Sequence, residues 1–268
     1  MTKLDERSKD LRKNVIKMVE VDKRGHIGPA LSLIEIMRVL FDSFLTFDAS
    51  NPKWEKRDRF ILSKGHGCLA LYSILADKNY FSKDEFNNFC KPTSILGGHP
   101  ERDKTPGVEA STGALGHGLP MAVGMALAAK IKKQTNRVVV VMGDGEINEG
   151  SVWEAAMSAS KHKLSNLIVF IDHNKLQSYG KTTEVLDMSP LPEKWQSFGF
   201  AVHEVDGHDI KALEVLLKTV PVNIEKPTVI ICHTIKGKGF AFAEGNPNWH
   251  HKSGLKEEDI LEMYKCLE

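Results

Sequence analysis

Four valines and a methionine in an unbroken run, Val138-Val139-Val140-Val141-Met142, are the tightest constraint on how this chain can fold. A run without polar alternation reads as a strand buried on both faces, the situation of a parallel sheet covered by helices. It ends at Gly143-Asp144-Gly145-Glu146-Ile147-Asn148-Glu149-Gly150, and an amphipathic segment follows from Ser151 to Lys163. An acid at a strand end therefore faces a helix N-terminus. The design then repeats, because Asn166 to Ile171 is a second apolar strand and Asp172-His173-Asn174-Lys175-Leu176-Gln177 lies just beyond it. Asp144 and Asn174 are thereby placed side by side.

Strands and helices alternate along the rest of the chain. Leu11, Val15 and Met18 give helical spacing to Asp5–Val21, and Leu33, Ile36, Met37 and Leu40 do the same for Ser32–Phe44, with a loop carrying His26 between them. Arg59–Leu62 reads as a short strand that turns through Ser63-Lys64-Gly65-His66-Gly67 into a helix over Cys68–Leu75. Ser82 and Glu85 form a capping-box pattern for a helix to Phe89. The segment Lys91–Gly113, rich in Gly, Pro and Thr, is a long loop expected to lie across a functional site. Gly116–Lys133 is a helix whose small residues suit close packing. Leu176–Asp187 is loop, Leu191–Ser197 helix, Ala201–Val205 strand, Ile210–Val220 helix and Pro227–Thr234 strand. A Gly- and aromatic-rich loop, Lys236–His251, precedes a last helix over Glu257–Leu267. This alternation predicts an α/β fold, a doubly wound, mostly parallel sheet flanked by helices.

Composition narrows the class of function. Length allows one large α/β domain or two small ones, and 41% hydrophobic with 26% charged residues is ordinary for a protein with a sizeable core. Thirty-six basic against thirty-five acidic side chains leave a net charge of +1, which gives no electrostatic argument for nucleic acid or an acidic membrane. Cys68, Cys90, Cys232 and Cys266 are widely spaced without a Cys-x-x-Cys, as expected of reduced thiols in the cytoplasm. The N-terminus is charged where a signal peptide needs an apolar core, and no apolar run is long enough to span a membrane. A cytoplasmic protein is the expectation.

In open parallel sheets ligands bind outside the carboxyl ends of the strands, where Asp144, Asn174 and His66 all project. Gly-Asp-Gly alone also describes a tight strand-to-helix turn with Asp144 as cap. The paired Asn174 favours a different reading, a hard cation carrying a diphosphate. Magnesium takes about six oxygens and is usually held by one or two protein groups together with phosphates. Gly145 would let the backbone approach the phosphate, and the helix beyond adds its positive end.

Gly-Asp-Gly followed by Asn at a later strand end resembles the thiamine diphosphate motif. Gly25-His26-Ile27-Gly28, Ser63-Lys64-Gly65-His66-Gly67, Gly98-His99-Pro100-Glu101, Thr112-Gly113-Ala114-Leu115-Gly116-His117-Gly118 and Thr234-Ile235-Lys236-Gly237-Lys238-Gly239 are similar in identity and order to transketolases, over essentially the whole chain. The resemblance implies the thiamine diphosphate-binding fold, with magnesium, or calcium or manganese in its place, on Asp144, Asn174 and the Leu176 carbonyl. It places Gly113 and Leu115 beside the aminopyrimidine, and His66, Gly145, Glu149 and Asn174 among the cofactor-binding residues, with Glu149 also at a dimer interface. It makes His26, His66, His99 and His251 the catalytic channel histidines, with imidazoles titrating near neutrality suited to proton transfer. Trp249-His250-His251-Lys252 lacks the family's following Gly-Ala-Pro, so His250 competes with His251, and His117 stands where many transketolases carry Gln.

The family's activating Glu and its sugar-phosphate arginines belong to a pyrimidine-binding domain absent from this chain. The resemblance therefore implies the N-terminal subunit of a split transketolase, moving a two-carbon ketol unit from a ketose to an aldose. The implied partners are a C-terminal pyrimidine-domain subunit in an α2β2 assembly with homodimer contacts, and a sugar or sugar phosphate. A related ketol or acyloin transferase acting on a modified sugar, and a non-catalytic cofactor-binding regulatory subunit, are the alternatives.

Overall fold

The computed structural model describes residues 4–221 and 223–268; Met1 to Lys3, part of the charged N-terminal stretch, lie outside them. Helix α1 (Glu6–Asp22) starts at Asp5, whose carboxylate accepts the Ser8 backbone N–H at 2.8 Å. A two-residue strand, β1 (Arg24–Gly25), leads into α2 (Ile27–Leu31) and α3 (Ile34–Val39), and a π turn, Leu40–Phe44, finishes that segment. The predicted Ser32–Phe44 helix is thus broken and begins earlier. Gly28-Pro29 reads as a breaker, but proline in a first helical turn gives up an N–H that has no partner there anyway.

β2 (Arg59–Leu62) and α4 (Cys68–Asp77) follow, joined by a 3-10 turn over Gly65–Gly67. The predicted helix after Ser82 is a 3-10 turn, Lys83–Asn88, with Ser82 as its cap. Residues 91–113 contain no helix or strand, as expected. Then come α5 (Gly118–Ile131), β3 (Val138–Gly143), α6 (Gly150–Lys161) and β4 (Leu167–His173). A short α7 (Thr182–Val185) interrupts the loop expected there, before α8 (Leu191–Ser197), β5 (Ala201–Asp206), α9 (Ile210–Leu217) and β6 (Thr228–His233). β7 (Lys252–Ser253) pairs antiparallel with β1, a ribbon too short for sequence periodicity to reveal, and α10 (Glu257–Lys265) closes the chain.

The main sheet has the order β2-β3-β4-β6-β5, and every pairing is parallel. Alternate side chains of each central strand enter different cores. Val139, Val141, Ile168, Phe170 and Ile230 pack with residues of α1 to α4, α9 and α10. Val138, Val140, Met142, Val169 and Ile231 pack with α5, α6 and α8. Both faces are covered, which is why the central strands carry no polar alternation.

A buried polar network fastens the first core. Arg12 of α1 is fully buried, and its guanidinium donates to Glu35 Oε1 at 2.6 Å and Oε2 at 3.1 Å. Burial raises the Glu35 carboxyl, but Arg12 and a hydrogen bond from His208 outweigh it and leave the group at about 2. Removing one partner of such a pair strands a buried charge, so Arg12→Leu is expected to cost about 3–5 kcal/mol. A urea denaturation midpoint equal to wild type would show that Glu35 has another means of compensation.

Candidate active site

Strand register brings the site together. Leu62 lies opposite Val141, Gly143 opposite Asp172, and His173 opposite His233. Four strands therefore end in one row, and the segments after them, Ser63–Gly67, Asp144–Gly145, Asn174–Gln177 and Thr234–Gly239, become neighbours. Asp172 joins three of these segments to α2. Fully buried, it accepts from Lys64 Nζ at 2.5 Å, Ser32 Oγ at 2.6 Å and Asn174 Nδ2 at 3.1 Å, and from the Thr234 hydroxyl. Burial opposes its ionisation, yet the Lys64 ammonium and these donors hold Asp172 below the usual carboxylate range.

Above this row is a cavity of about 250 Å³ whose walls include His26, His66, His99, Gly113, Leu115, Asp144, Gly145, Asn174 and Leu176. Asp144 Oδ1 accepts from Gly145 N at 2.8 Å and Oδ2 from Lys175 N at 2.5 Å. Asn174 Oδ1 accepts from Leu176 N at 3.1 Å. Between them Lys175 has a φ of 65°, the left-handed conformation that reverses the chain and lets Asn174 and Leu176 line the same cavity. Long loop 91–113 delivers His99 and Gly113: Tyr72 Oη donates to Gly97 O and His99 O at 3.0 and 2.9 Å, and Thr112 Oγ1 donates to Leu62 O at 2.7 Å.

The donor set fits a cation with a phosphorylated group. Burial, with Asp172 nearby, pushes the Asp144 carboxyl up to about 7, so the Lys175 N–H and the Lys64 and Lys236 ammonium groups only partly offset the cost of ionising Asp144. Among the described residues no cluster of three His, Cys, Asp or Glu side chains is placed to hold a metal. A cation here would use the mixed set of carboxylate, amide and carbonyl oxygens on Asp144, Asn174 and Leu176. For the anion there are the Lys64 and Lys236 ammonium groups and Gln177, whose Nε2 is buried without a hydrogen-bond partner among the described residues. A Cβ on Gly145 would meet Gln177 Cγ at 2.8 Å, so any side chain at 145 would displace that donor.

The histidines converge around His26. Its ring centroid is 5.5 Å from that of His66, 5.9 Å from His99, 5.6 Å from His250 and 4.6 Å from His251. His250, rather than His251, lines the cavity; it stacks on His66 at 5.4 Å and accepts from Lys236 Nζ at 2.8 Å. His251 is exposed and faces a neighbouring recess with His26, His99, Cys68 and Cys90. Two consecutive residues at the end of a 3-10 turn, Pro247–Trp249, point in different directions, so the cavity position given to His251 falls to His250. The expectation of near-neutral imidazoles also changes. Burial first, then neighbouring imidazoles and Lys64 or Lys236, depress His26 to about 4 and His250 to about 3, and push His66 well below its ordinary value. Burial lowers His99 too. These rings are neutral near pH 7, each with one donor and one acceptor nitrogen.

Glu149 does not line the cavity. It is exposed at the start of α6, where its Cβ lies 2.5 Å from the point a Gly116 side chain would occupy. Conversely, Lys64, Glu146, Asp172, Gln177 and Lys236 line or support the cavity without having been singled out from sequence. Glu146 is buried, accepts from the Ser63 hydroxyl and from Gly116 N and Gly143 N at 3.0 Å each, and burial raises its carboxyl. The available signal was a charged residue inside a glycine-rich strand end, which the Ser63–Gly67 and Thr234–Gly239 stretches both display.

Residues 5–267 match the family described as transketolase, thiamine diphosphate binding domain. The chain is 43% identical over 265 residues to an apulose-4-phosphate transketolase subunit from Actinobacillus succinogenes, covering 98% of this chain and 96% of that protein. It is 39% identical over 250 residues to the 6-deoxy-6-sulfo-D-fructose transketolase subunit SqwG of Clostridium sp., covering 91% and 90%. Against Homo sapiens transketolase the identity is 36% over 262 residues, 96% of this chain but 41% of that protein. The crystal structure of transketolase from Campylobacter jejuni superposes with a TM-score of 0.91 at 32% identity, covering 98% of this chain and 42% of that one. The chain thus spans nearly the full length of the subunit relatives and less than half of the single-chain enzymes.

Asp144 gives a test with a defined sign. Its carboxyl is raised from 3.8 to about 7, so between those pH values the unfolded chain releases a proton that the folded chain keeps. Stability falls as pH rises through that window and stays lower above it. Asp144→Asn is therefore expected to melt higher than wild type at pH 8 when cofactor-free, with no such gain below the window, and to lose magnesium-dependent binding of thiamine diphosphate by calorimetry. Wild-type cofactor affinity in the variant would sink the metal assignment.

Proposed function

The chain belongs to the transketolase family, and from that premise we propose that it is the cofactor-holding N-terminal subunit of a two-chain transketolase. That enzyme moves a two-carbon ketol unit from a ketose to an aldose. The observation that carries this reading is the cavity in which Asp144, Asn174 and Leu176 meet Lys64 and four neutral histidines, with the Lys236 ammonium bonded to Leu176 O and His250 Nδ1. When bound, thiamine diphosphate supplies the nucleophilic carbon that takes up the ketol unit, chemistry no side chain offers. This chain holds and orients it. Asp144, Asn174 and the Leu176 carbonyl would hold magnesium; Lys64, Lys236 and the Gln177 amide would hold the diphosphate; Gly113 and Leu115 would form the wall toward the aminopyrimidine. Calcium or manganese, equally oxygen-seeking, can stand in for magnesium.

His26, His66, His99 and His250 work on the sugar. As neutral imidazoles they both donate to and accept from sugar hydroxyls, and the accepting nitrogen takes a hydroxyl proton as a carbonyl forms. Two of the subunit relatives are named for sugars carrying a phosphate or a sulfo group, which supports a modified or phosphorylated sugar as substrate.

The assembly we propose is α2β2, in which a pyrimidine-domain subunit supplies the activating Glu and two copies of this chain also touch. Its support is the outer face of α5 and α6, where Gly124, Ala128, Ile131 at 72% exposure and Met157 at 56% are open to solvent. The reading also places the enzyme in the cytoplasm, in keeping with four free cysteines. Among the described residues no helix is long and apolar enough to cross a membrane.

The purified 268-residue chain, saturated with magnesium and cofactor, is expected to show no ketol transfer until a pyrimidine-domain subunit is added. Robust transfer by this chain, verified free of other proteins, would refute the two-chain reading. In the reconstituted enzyme His250→Ala should lower kcat/KM on the order of tenfold, the worth of about one hydrogen bond, with His251→Ala close to wild type. The reverse ranking would return the channel role to His251.

A further inference from the structure

The Lys236 ammonium reaches Leu176 O at 2.6 Å and His250 Nδ1 at 2.8 Å, so it sits between the metal-side carbonyl and the histidine wall. A lysine head on a four-carbon stem adopts many positions, and its placement depends on how firmly its backbone is held. The backbone on either side of Lys236 is held by side chains from a distant part of the fold. His208 Nε2 accepts the Ile235 N–H at 2.9 Å, and Arg12 Nε donates to Lys238 O at 2.9 Å.

Those two side chains meet on one carboxylate. Because His208 Nε2 accepts a hydrogen bond, its ring proton lies on Nδ1 and is donated to Glu35 Oε2 at 2.8 Å. Glu35 in turn receives Arg12 Nη1 and Nη2, and the remaining guanidinium protons go to Ser8 O and Leu31 O at 3.2 Å each. All five Arg12 donors are therefore used. The gripped loop contains Gly237 and Gly239 at φ of 83° and 97°, left-handed positions that other residues rarely adopt. Close fit fixes it further, since a Cβ on Gly239 would lie 2.9 Å from Arg12 Nε.

We propose that Arg12, Glu35 and His208 are positioning residues for the cofactor cavity, setting the Ile235–Lys238 backbone so that the Lys236 ammonium stands where a diphosphate binds. This rests on the reading of the cavity as a diphosphate site. It makes a contact between α1, α3 and the turn before α9 a determinant of anion affinity. His208 is the informative member, because it touches the loop directly while the Arg12–Glu35 pair can remain without it.

Calorimetry with magnesium and inorganic pyrophosphate on the full chain tests this without requiring turnover. His208→Leu removes both ring hydrogen bonds and is expected to raise the pyrophosphate dissociation constant about tenfold, while His208→Gln, which can donate to Glu35 and accept from Ile235, stays within about twofold of wild type. Leu213→Ala, a buried α9 residue of the same core, is the control for lost stability, expected to lower the melting temperature and leave pyrophosphate affinity unchanged. Unchanged affinity in His208→Leu, or equal weakening in Leu213→Ala, would overturn the proposal. Should the wild-type pair of subunits show no ketol transfer while the pyrophosphate shift is present, the proposed function fails and this inference stands.

Discussion

A single carboxylate at the end of β4 holds the functional half of this molecule together. Asp172 is wholly out of water, and an ionised group in that position persists only if charge and hydrogen bonds replace the solvent it has lost. The replacements come from Ser32, Lys64, Asn174 and Thr234, which lie far apart in sequence and after different secondary elements. Satisfying one buried charge therefore fixes the relative positions of four segments. Each of them also presents a group to the cavity or belongs to a segment that does: His26 before Ser32, His66 near Lys64, Leu176 near Asn174, Lys236 near Thr234.

That arrangement explains both what the sequence discloses and what it hides. A continuous apolar run such as Val138–Met142 has one stable home, the middle of a covered parallel sheet, so strands, their direction and the helices between them are legible from pattern alone. Asp144 and Asn174 are legible because each directly follows such a run. Asp172 is hidden by the same logic, since one acid in a strand-end string says nothing about its partners. The Arg12–Glu35–His208 network is hidden more completely: each member sits on a helix or turn where a charged residue usually faces water. His250 and His251 could not be separated by sequence because the choice depends on the direction of a 3-10 turn. The depressed imidazoles were likewise beyond reach, since burial and two lysines, not residue type, cause them.

The cavity buries groups of both signs whose desolvation their neighbours only partly offset. Asp144 is raised by burial and by Asp172, and Lys236 is lowered to about 8 by burial and by Lys64. On the proposed reading, a metal diphosphate would supply a cation for the one and an anion for the other, and its binding would offset both costs at once. Binding energy of that origin stabilises the folded chain by mass action and couples cofactor occupancy to rigidity around the site. On the proposed reading, the cost of burying Asp144 and Lys236 is thus part of what would favour a ligand carrying both signs of charge.

The same reasoning bears on why a cofactor-holding chain like this can exist separately from its catalytic partner. Its sheet is covered on both faces by packed cores, and the buried Arg12–Glu35 and Lys64–Asp172 pairs close within the chain, so these charges ask nothing of another domain. The cavity is different. On the proposed reading, the groups for metal, diphosphate and sugar hydroxyls would share one wall, whereas a cofactor held for chemistry must be enclosed so that water is excluded and its reactive carbon oriented. Stability is thus local to this chain and enclosure is not.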